Sequence, residues 1–173
     1  EYRRLNELNQ NFMIIPINYP SRPEVANPYT ALQYSTHQLK HWDLAPDNLK
    51  KLSEKNLKFA ISTSGLKNKR DFRKNLSHSV SRGLSEEDAL ASLTTVPAQA
   101  FGQSKRLGKI APGYMANLVI TDGNYFNKNS TVKSIWIEGN EIQVSPDPIN
   151  EFSGIWTLQE REREWTLDIN NSG

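Results

Sequence analysis

The stretch GLSEEDALASLTTVPAQAFGQSKRLGKIAPGYMANLVITDG, residues 83–123, changes texture midway from helix to strand, and the rest of the chain is best read outward from it. Gly83 stops the helical pattern before it. Ser85 with Asp88 three residues on is a capping-box arrangement, with Asp in place of the longer Glu. Ala89, Leu90 and Leu93 then form a stripe for burial, Pro97 suits the first turn of one more short helix, and Gly102 closes it. Leu107 to Gly113 is turn chemistry, and ANLVITD at 116–122 is a strand.

Downstream the pattern stays β. KSIWIEG at 133–139 alternates Ile135 and Ile137 against Trp136 and Glu138, and Gly139-Asn140 makes a hairpin turn into Glu141 to Val144. Pro146 and Pro148 mark a linker, after which GIWTL and EWTLDI are alternating strands joined by QERER, the start of a further β segment. Trp136, Trp156 and Trp165 on these strands are expected to be core or interface residues.

Upstream the pattern alternates strand and helix. Asp71 to Ser81 carries Phe72, Leu76 and Val80 at i, i+4, i+8. FMIIPI at 12–17 suits a strand buried on both faces and ending at Pro16, and LKFAIST at 57–63 is another short apolar run rich in strand formers. Between them lie a proline-rich loop over 18–30, a helix from Ala31 to Trp42 with Leu32, Ser35, Leu39 and Trp42 on one stripe, and a short helix NLKKLSEKN capped by Asp47. Strand, helix, strand implies a right-handed crossover and a parallel sheet covered by helices. Tyr2, Leu5 and Leu8 make residues 2–10 a helix tail.

Composition bounds the function. The chain has 173 residues, 36% of them hydrophobic, and its 9 glycines bring the apolar share to about 41%, below the ~45–50% of a self-sufficient domain. Mean hydropathy is −0.66. No apolar run approaches the ~18–20 residues of a membrane helix, and balanced charge argues for a soluble folded chain, cytoplasmic or exported. Net charge +2 is too small to point to nucleic acid, and the basic run Lys67, Lys69, Arg70, Arg73, Lys74 is interrupted and reads as a solvated helix face. With no Cys there are no disulfides, thiolate nucleophiles or Cys-ligated zinc. Glu1 stands where an initiator Met would, so the chain reads as part of something longer.

The pieces DALASLTTVPAQAFG (88–102), RLGKIAPGYMANLVITD (106–122) and VKSIWIEG (132–139) carry a resemblance. In that order they are similar to the C-terminal signature of the metal-dependent amidohydrolase superfamily, especially its imidazolonepropionase-like branch. The resemblance implies an α/β fold in which residues 1–101 are the last two β/α units of a TIM-type (β/α)8 barrel. It implies that 102–145 are C-terminal strands of a β-sandwich, with 146–173 a linker and the start of a further β segment. A barrel of this type needs ~200–250 residues, so the fragment implied would pack against an upstream barrel half and a downstream β domain, or self-associate.

The resemblance also implies where the chemistry lies. Such enzymes hold one or two divalent metals, zinc among them, at the C-terminal ends of the barrel strands, with an Asp after the last strand that binds metal and takes a proton from the attacking water. In FAISTSGL, 59–66, Ser64 most nearly stands at that position, and a hydroxyl is no carboxylate base at neutral pH. Asp71 is a carboxylate further on but falls inside the next helical pattern. Ser62, Thr63, Ser64 and Gly65 at the end of one strand, and Asn18 and Tyr19 at the end of the other, are the ligand-binding candidates. His37 and His41 have zinc-helix spacing but no Glu between them and no evident third ligand, and read as a surface or interface pair, while His78 reads as solvated. No metal ligand set or cofactor is expected within the chain itself. The implied parent hydrolyses C–N bonds of small or cyclic amides. The alternatives are a non-catalytic amidohydrolase-like domain for ligand binding or interdomain packing, favoured by Ser64, and a free-standing α/β interaction module.

Overall fold

The computed structural model describes residues 12–145, 154–160 and 163–169, so the helix tail over 2–10 and the linker prolines Pro146 and Pro148 lie outside the described residues. Strands β1 (Met13–Pro16) and β2 (Phe59–Ser62) pair in parallel, from Met13 opposite Phe59 to Pro16 opposite Ser62. Parallel strands need a crossover, and it is built of α1 (Pro28–Ala31), α2 (Thr36–Leu44), a 3-10 turn (Ala45–Asp47) and α3 (Asn48–Ser53). Then come α4 (Asp71–Ser81), α5 (Glu86–Leu93) and α6 (Thr95–Ala100). A separate antiparallel sheet holds β3 (Leu118–Thr121), β4 (Val132–Ile137) and β5 (Asn140–Gln143), and β6 (Gly154–Glu160) pairs antiparallel with β7 (Arg163–Ile169). Among the described residues no helix is long and apolar enough to cross a membrane.

One apolar cluster joins the parallel strands to the helices. Ile17, Leu49, Leu52, Leu57, Phe59, Leu76, Leu84 and Ala89 are its buried members, with Phe72 and Val80 of α4 packed beside them, as their spacing in sequence requires. Arg82, just after α4, ties this layer to the crossover: its guanidinium donates to both carboxylate oxygens of Asp47 (2.6 and 3.0 Å) and to the Asp43 carbonyl at 3.1 Å.

Several elements differ from their sequence reading. β1 is not buried on both faces: Met13, Ile15 and Ile17 turn toward the core while Ile14 is 59% exposed, although Ala60, its partner on β2, is buried, so the opening lies at β1 and not along the whole pair. The helix expected over 31–42 is broken. Ser35 is the N-cap of α2, its hydroxyl accepting from the Gln38 N–H while the Gln38 side chain accepts from the Ser35 N–H, and Leu32, placed on one stripe with it by spacing, is 84% exposed. Asp47 stands before α3 but makes no capping bond; its carboxylate is taken by Arg82. In α5 the inward positions are Ala89, Ser92 and Leu93, and Leu90 is 53% exposed. The hairpin turn falls one residue earlier, at Glu138-Gly139, both with positive φ (52° and 86°), which is the twist a two-residue hairpin needs. The QERER connection is shorter than read, since pairing runs from Glu160 to Arg163. Trp136 is half-buried, while Trp156 and Trp165 are exposed on β6 and β7.

The expected cap at Ser85 forms, with a consequence for pH. Ser85 Oγ accepts from the Asp88 N–H at 3.0 Å, and the Asp88 carboxylate accepts from the hydroxyls of Ser53 (2.5 Å) and Ser85 (2.6 Å), linking α5 to the end of α3. Those hydroxyl bonds, Ser53's first, hold the Asp88 carboxyl below its ordinary range against the opposing effect of burial. A lowered folded-state pKa contributes stability above the unfolded value of about 4 and loses it as pH falls through the folded value. Asp88→Asn is therefore expected to be less stable than the parent chain at pH 7. The two urea midpoints should converge as pH is lowered from 4 toward 2, and a gap independent of pH would contradict this.

Candidate functional site

Because β1 and β2 run parallel, their C-terminal ends lie on one edge, and the segments following them meet there. β2 ends at Ser62, whose hydroxyl accepts from the Ser64 N–H at 3.0 Å, and a turn closes with the Leu66 N–H donating to the Thr63 carbonyl at 3.2 Å. Gly65 takes φ +73°, and a Cβ at this glycine would lie 2.5 Å from Asn18 Nδ2. The Asn18 amide thus rests against the Ser62–Gly65 turn, joining the two strand ends in one rim. Thr63, Ser64 and Asn18 are exposed. From behind, the Asn75 side chain of α4 donates to the Ile17 carbonyl at 2.7 Å and fixes the chain just before Asn18.

Tyr19, although next to Asn18, points elsewhere. Its hydroxyl is hydrogen-bonded to Ser79 Oγ, the Ser79 hydroxyl in turn reaches the Pro46 carbonyl at 3.0 Å, and the ring meets His78 edge-on at 6.5 Å. Burial pushes the phenol pKa up, with the Ser79 bond opposing, so Tyr19 is held neutral as a link between strand end and helix.

On the crossover side of the rim opens a cleft of about 650 Å³. Ile15, Pro16, Asn18 and Tyr19 form one wall; His37, Lys40 and His41 of α2 and Asn48 and Lys51 of α3 form the other. The histidines that sequence spacing left as a surface pair are exposed, yet they line the same cleft as Asn18. Sequence gave no sign of this, because it depends on how α2 folds back beside β1. Among the described residues no acidic side chain lines the cleft, which suits it to neutral or anionic ligands.

The rim does not fit a divalent metal. Ser62, Thr63, Ser64 and Asn18 offer neutral hydroxyl and amide oxygens, whereas such sites are built from imidazole and carboxylate. Among the described residues no three His, Cys, Asp or Glu side chains gather closely enough to hold an ion. Asp71, the other carboxylate considered, is the first residue of α4 rather than part of the rim.

A family model described as the amidohydrolase family matches residues 46–142, from the 3-10 turn into β5. The protein named amidohydrolase tasK from Hapsidospora irregularis is 40% identical over 57 residues, 33% of this chain and 6% of that protein. The crystal structure of an amidohydrolase from Thermotoga maritima superposes with a TM-score of 0.53 at 28% identity, over 64% of this chain and 29% of the other. A prolidase solved with N-methylphosphonate-L-proline shares the fold at 17% identity, with a TM-score of 0.57 over 83% of this chain and 37% of that one. The chain spans 6% of the curated relative's length and 29% to 37% of these two structures.

Proposed function

The chain belongs to the amidohydrolase family, and from that premise we propose that it forms the last two β/α units of a (β/α)8 barrel, with 102–145 as strands of the accompanying β-sandwich. The whole protein hydrolyses C–N bonds of small or cyclic amides. The observation that carries this reading is the parallel β1–β2 pair, packed against the helices through Met13, Ile15 and Phe59 and open at Ile14 of β1, with its polar rim where barrel enzymes bind substrate. On this reading any zinc is held by residues outside the described ones. What this chain supplies is contact: the Asn18 amide can pair with an amide group of substrate, and the exposed Thr63 and Ser64 hydroxyls can orient it. The missing partners are the rest of the same polypeptide, and this chain expressed alone self-associates through the outer edges of β1 and β2, which pair with no further strand among the described residues.

Ser64 favours a second reading, a non-catalytic amidohydrolase-like domain that binds ligand or packs against a neighbour. Zinc analysis of the intact protein that contains this chain separates the two. Stoichiometric zinc is expected for the hydrolase and none for the non-catalytic domain. If the domain is a metal site that has lost its carboxylate, Ser64→Asp raises zinc affinity at least tenfold while changing stability by less than ~0.5 kcal/mol, the usual range at an exposed position. Unchanged affinity would show that Ser64 does not occupy a former ligand position.

A further inference from the structure

A second concavity, of about 700 Å³, lies between α4 and the loop that follows β3, with none of the rim residues Asn18 and Ser62 to Gly65 in its lining. One wall is α4 and the residue before it: Arg70, Arg73, Lys74 and His78, spaced so that they share one side of the helix. The other wall comes from more than forty residues later in the chain, with Phe126 and Lys128. A basic run along a helix is ordinarily just a solvated face; here it faces a second wall that adds another cation.

The walls are fixed to each other. Arg73 donates from Nε to the Tyr125 carbonyl (2.8 Å) and from its terminal nitrogen to the Asn127 carbonyl (3.1 Å) and Ser130 Oγ (2.8 Å), with its guanidinium 5.0 Å from the Tyr125 ring centre. The loop is braced internally, the Asn124 side chain accepting from the Phe126 N–H and that of Asn127 from the Asn129 N–H. Asn124 also donates to the Glu86 carboxylate of α5 at 2.7 and 2.8 Å. Arg73 is thus committed to structure, whereas none of the ion pairs among the described residues involves Arg70, Lys74 or Lys128. Among the described residues no carboxylate lines the groove, and Asp71 of the same helix is absent from its lining.

We propose that this groove binds a small ligand carrying two or more phosphoryl charges, held by Arg70, Lys74 and Lys128, with Phe126 offering an apolar floor. Arg70 and Lys74 stand one helical turn apart, about 6 Å along the axis, a spacing for two charges on one ligand. A groove of this volume falls in the range of small-molecule sites and not of an extended nucleic-acid track.

Calorimetric titration of the full chain with inorganic pyrophosphate and with ADP tests this. Both are expected to bind at 50 mM salt and to weaken severalfold at 200 mM. Equal affinities would mean that only phosphates are held, and tighter ADP that the ring reaches Phe126. The triple variant Arg70→Ala/Lys74→Ala/Lys128→Ala should bind at least tenfold more weakly. The charge-matched Lys55→Ala/Lys105→Ala/Lys109→Ala and the charge-retaining Lys74→Arg/Lys128→Arg should bind as the parent does. Thermal midpoints of all the variants would be compared to show that each is folded. The proposal is overturned if neither probe binds, if both triple-alanine variants weaken binding equally, or if only a single-stranded oligonucleotide or anionic vesicles bind.

Discussion

Leu76→Ala is expected to destabilise the chain by about 2–5 kcal/mol, the cost of emptying a fully buried leucine position. Leu76 is 0% exposed and belongs to the cluster through which α4 meets Ile17, Leu49 and Phe59. Domains of this size are stable by only about 5–15 kcal/mol, so this one truncation removes a large share of the total. The urea midpoint should fall steeply at unchanged slope. Leu90→Ala is the matched comparison: the sequence reading put Leu90 on a buried stripe, the structure leaves it half-exposed, and its loss should cost less than about 1 kcal/mol. Equal costs at the two positions would mean that α5 is rotated from the orientation described.

Gly108→Ala is the second large effect. Gly108 has φ +89°, and a Cβ there would lie 2.8 Å from the Thr94 carbonyl oxygen and 3.0 Å from Ala98 Cβ. Neither atom is the free end of a side chain: one is backbone at the start of α6 and the other is a Cβ fixed to that helix. Left-handed strain of about 1–2 kcal/mol adds to an overpacking cost of about 1–3 kcal/mol. Gly102→Ala isolates the first contribution, since Gly102 has φ +66° but nothing within 4 Å of its missing Cβ. Differential scanning calorimetry of both variants should show the Gly108 substitution lowering the melting temperature about twice as far. The Leu107-Gly108 pair of the motif at 106–122 thereby gains a physical meaning: it lets the chain turn down against α6 on its way to β3.

The sequence was most legible where pattern and packing coincide. The helical pattern from Asp71 to Ser81 coincides with α4, because Phe72, Leu76 and Val80 face a core that the described residues contain. FMIIPI showed a strand but not its cover: apolar side chains on both sides cannot reveal that one side is left open at Ile14. Ser35 fell on a helical stripe by spacing, and only its exchange of hydrogen bonds with Gln38 marks it as a boundary. The hairpin was displaced by one residue because Glu138, which has no propensity for positive φ, adopts it. At the site, the pairing of the two strand ends followed from a parallel reading. The turn of Tyr19 into Ser79, and the arrival of His37 and His41 beside Asn18, are set by side-chain packing across distant segments, where periodicity carries no information.

The parallel pairing of β1 with β2 also sets an order of events in time. The hairpin of β4 and β5 and the α5–α6 corner are joined by contacts local in sequence and can form within microseconds. Met13 meets Phe59 only after the whole crossover between them has been gathered in, so the entropy of closing that span falls before any core contact repays it. During synthesis, β1 therefore leaves the ribosome well before its partner, with Ile14 and its neighbours uncovered. A translation pause between residues 20 and 55 would prolong that interval, making it the stage at which aggregation competes most strongly with folding.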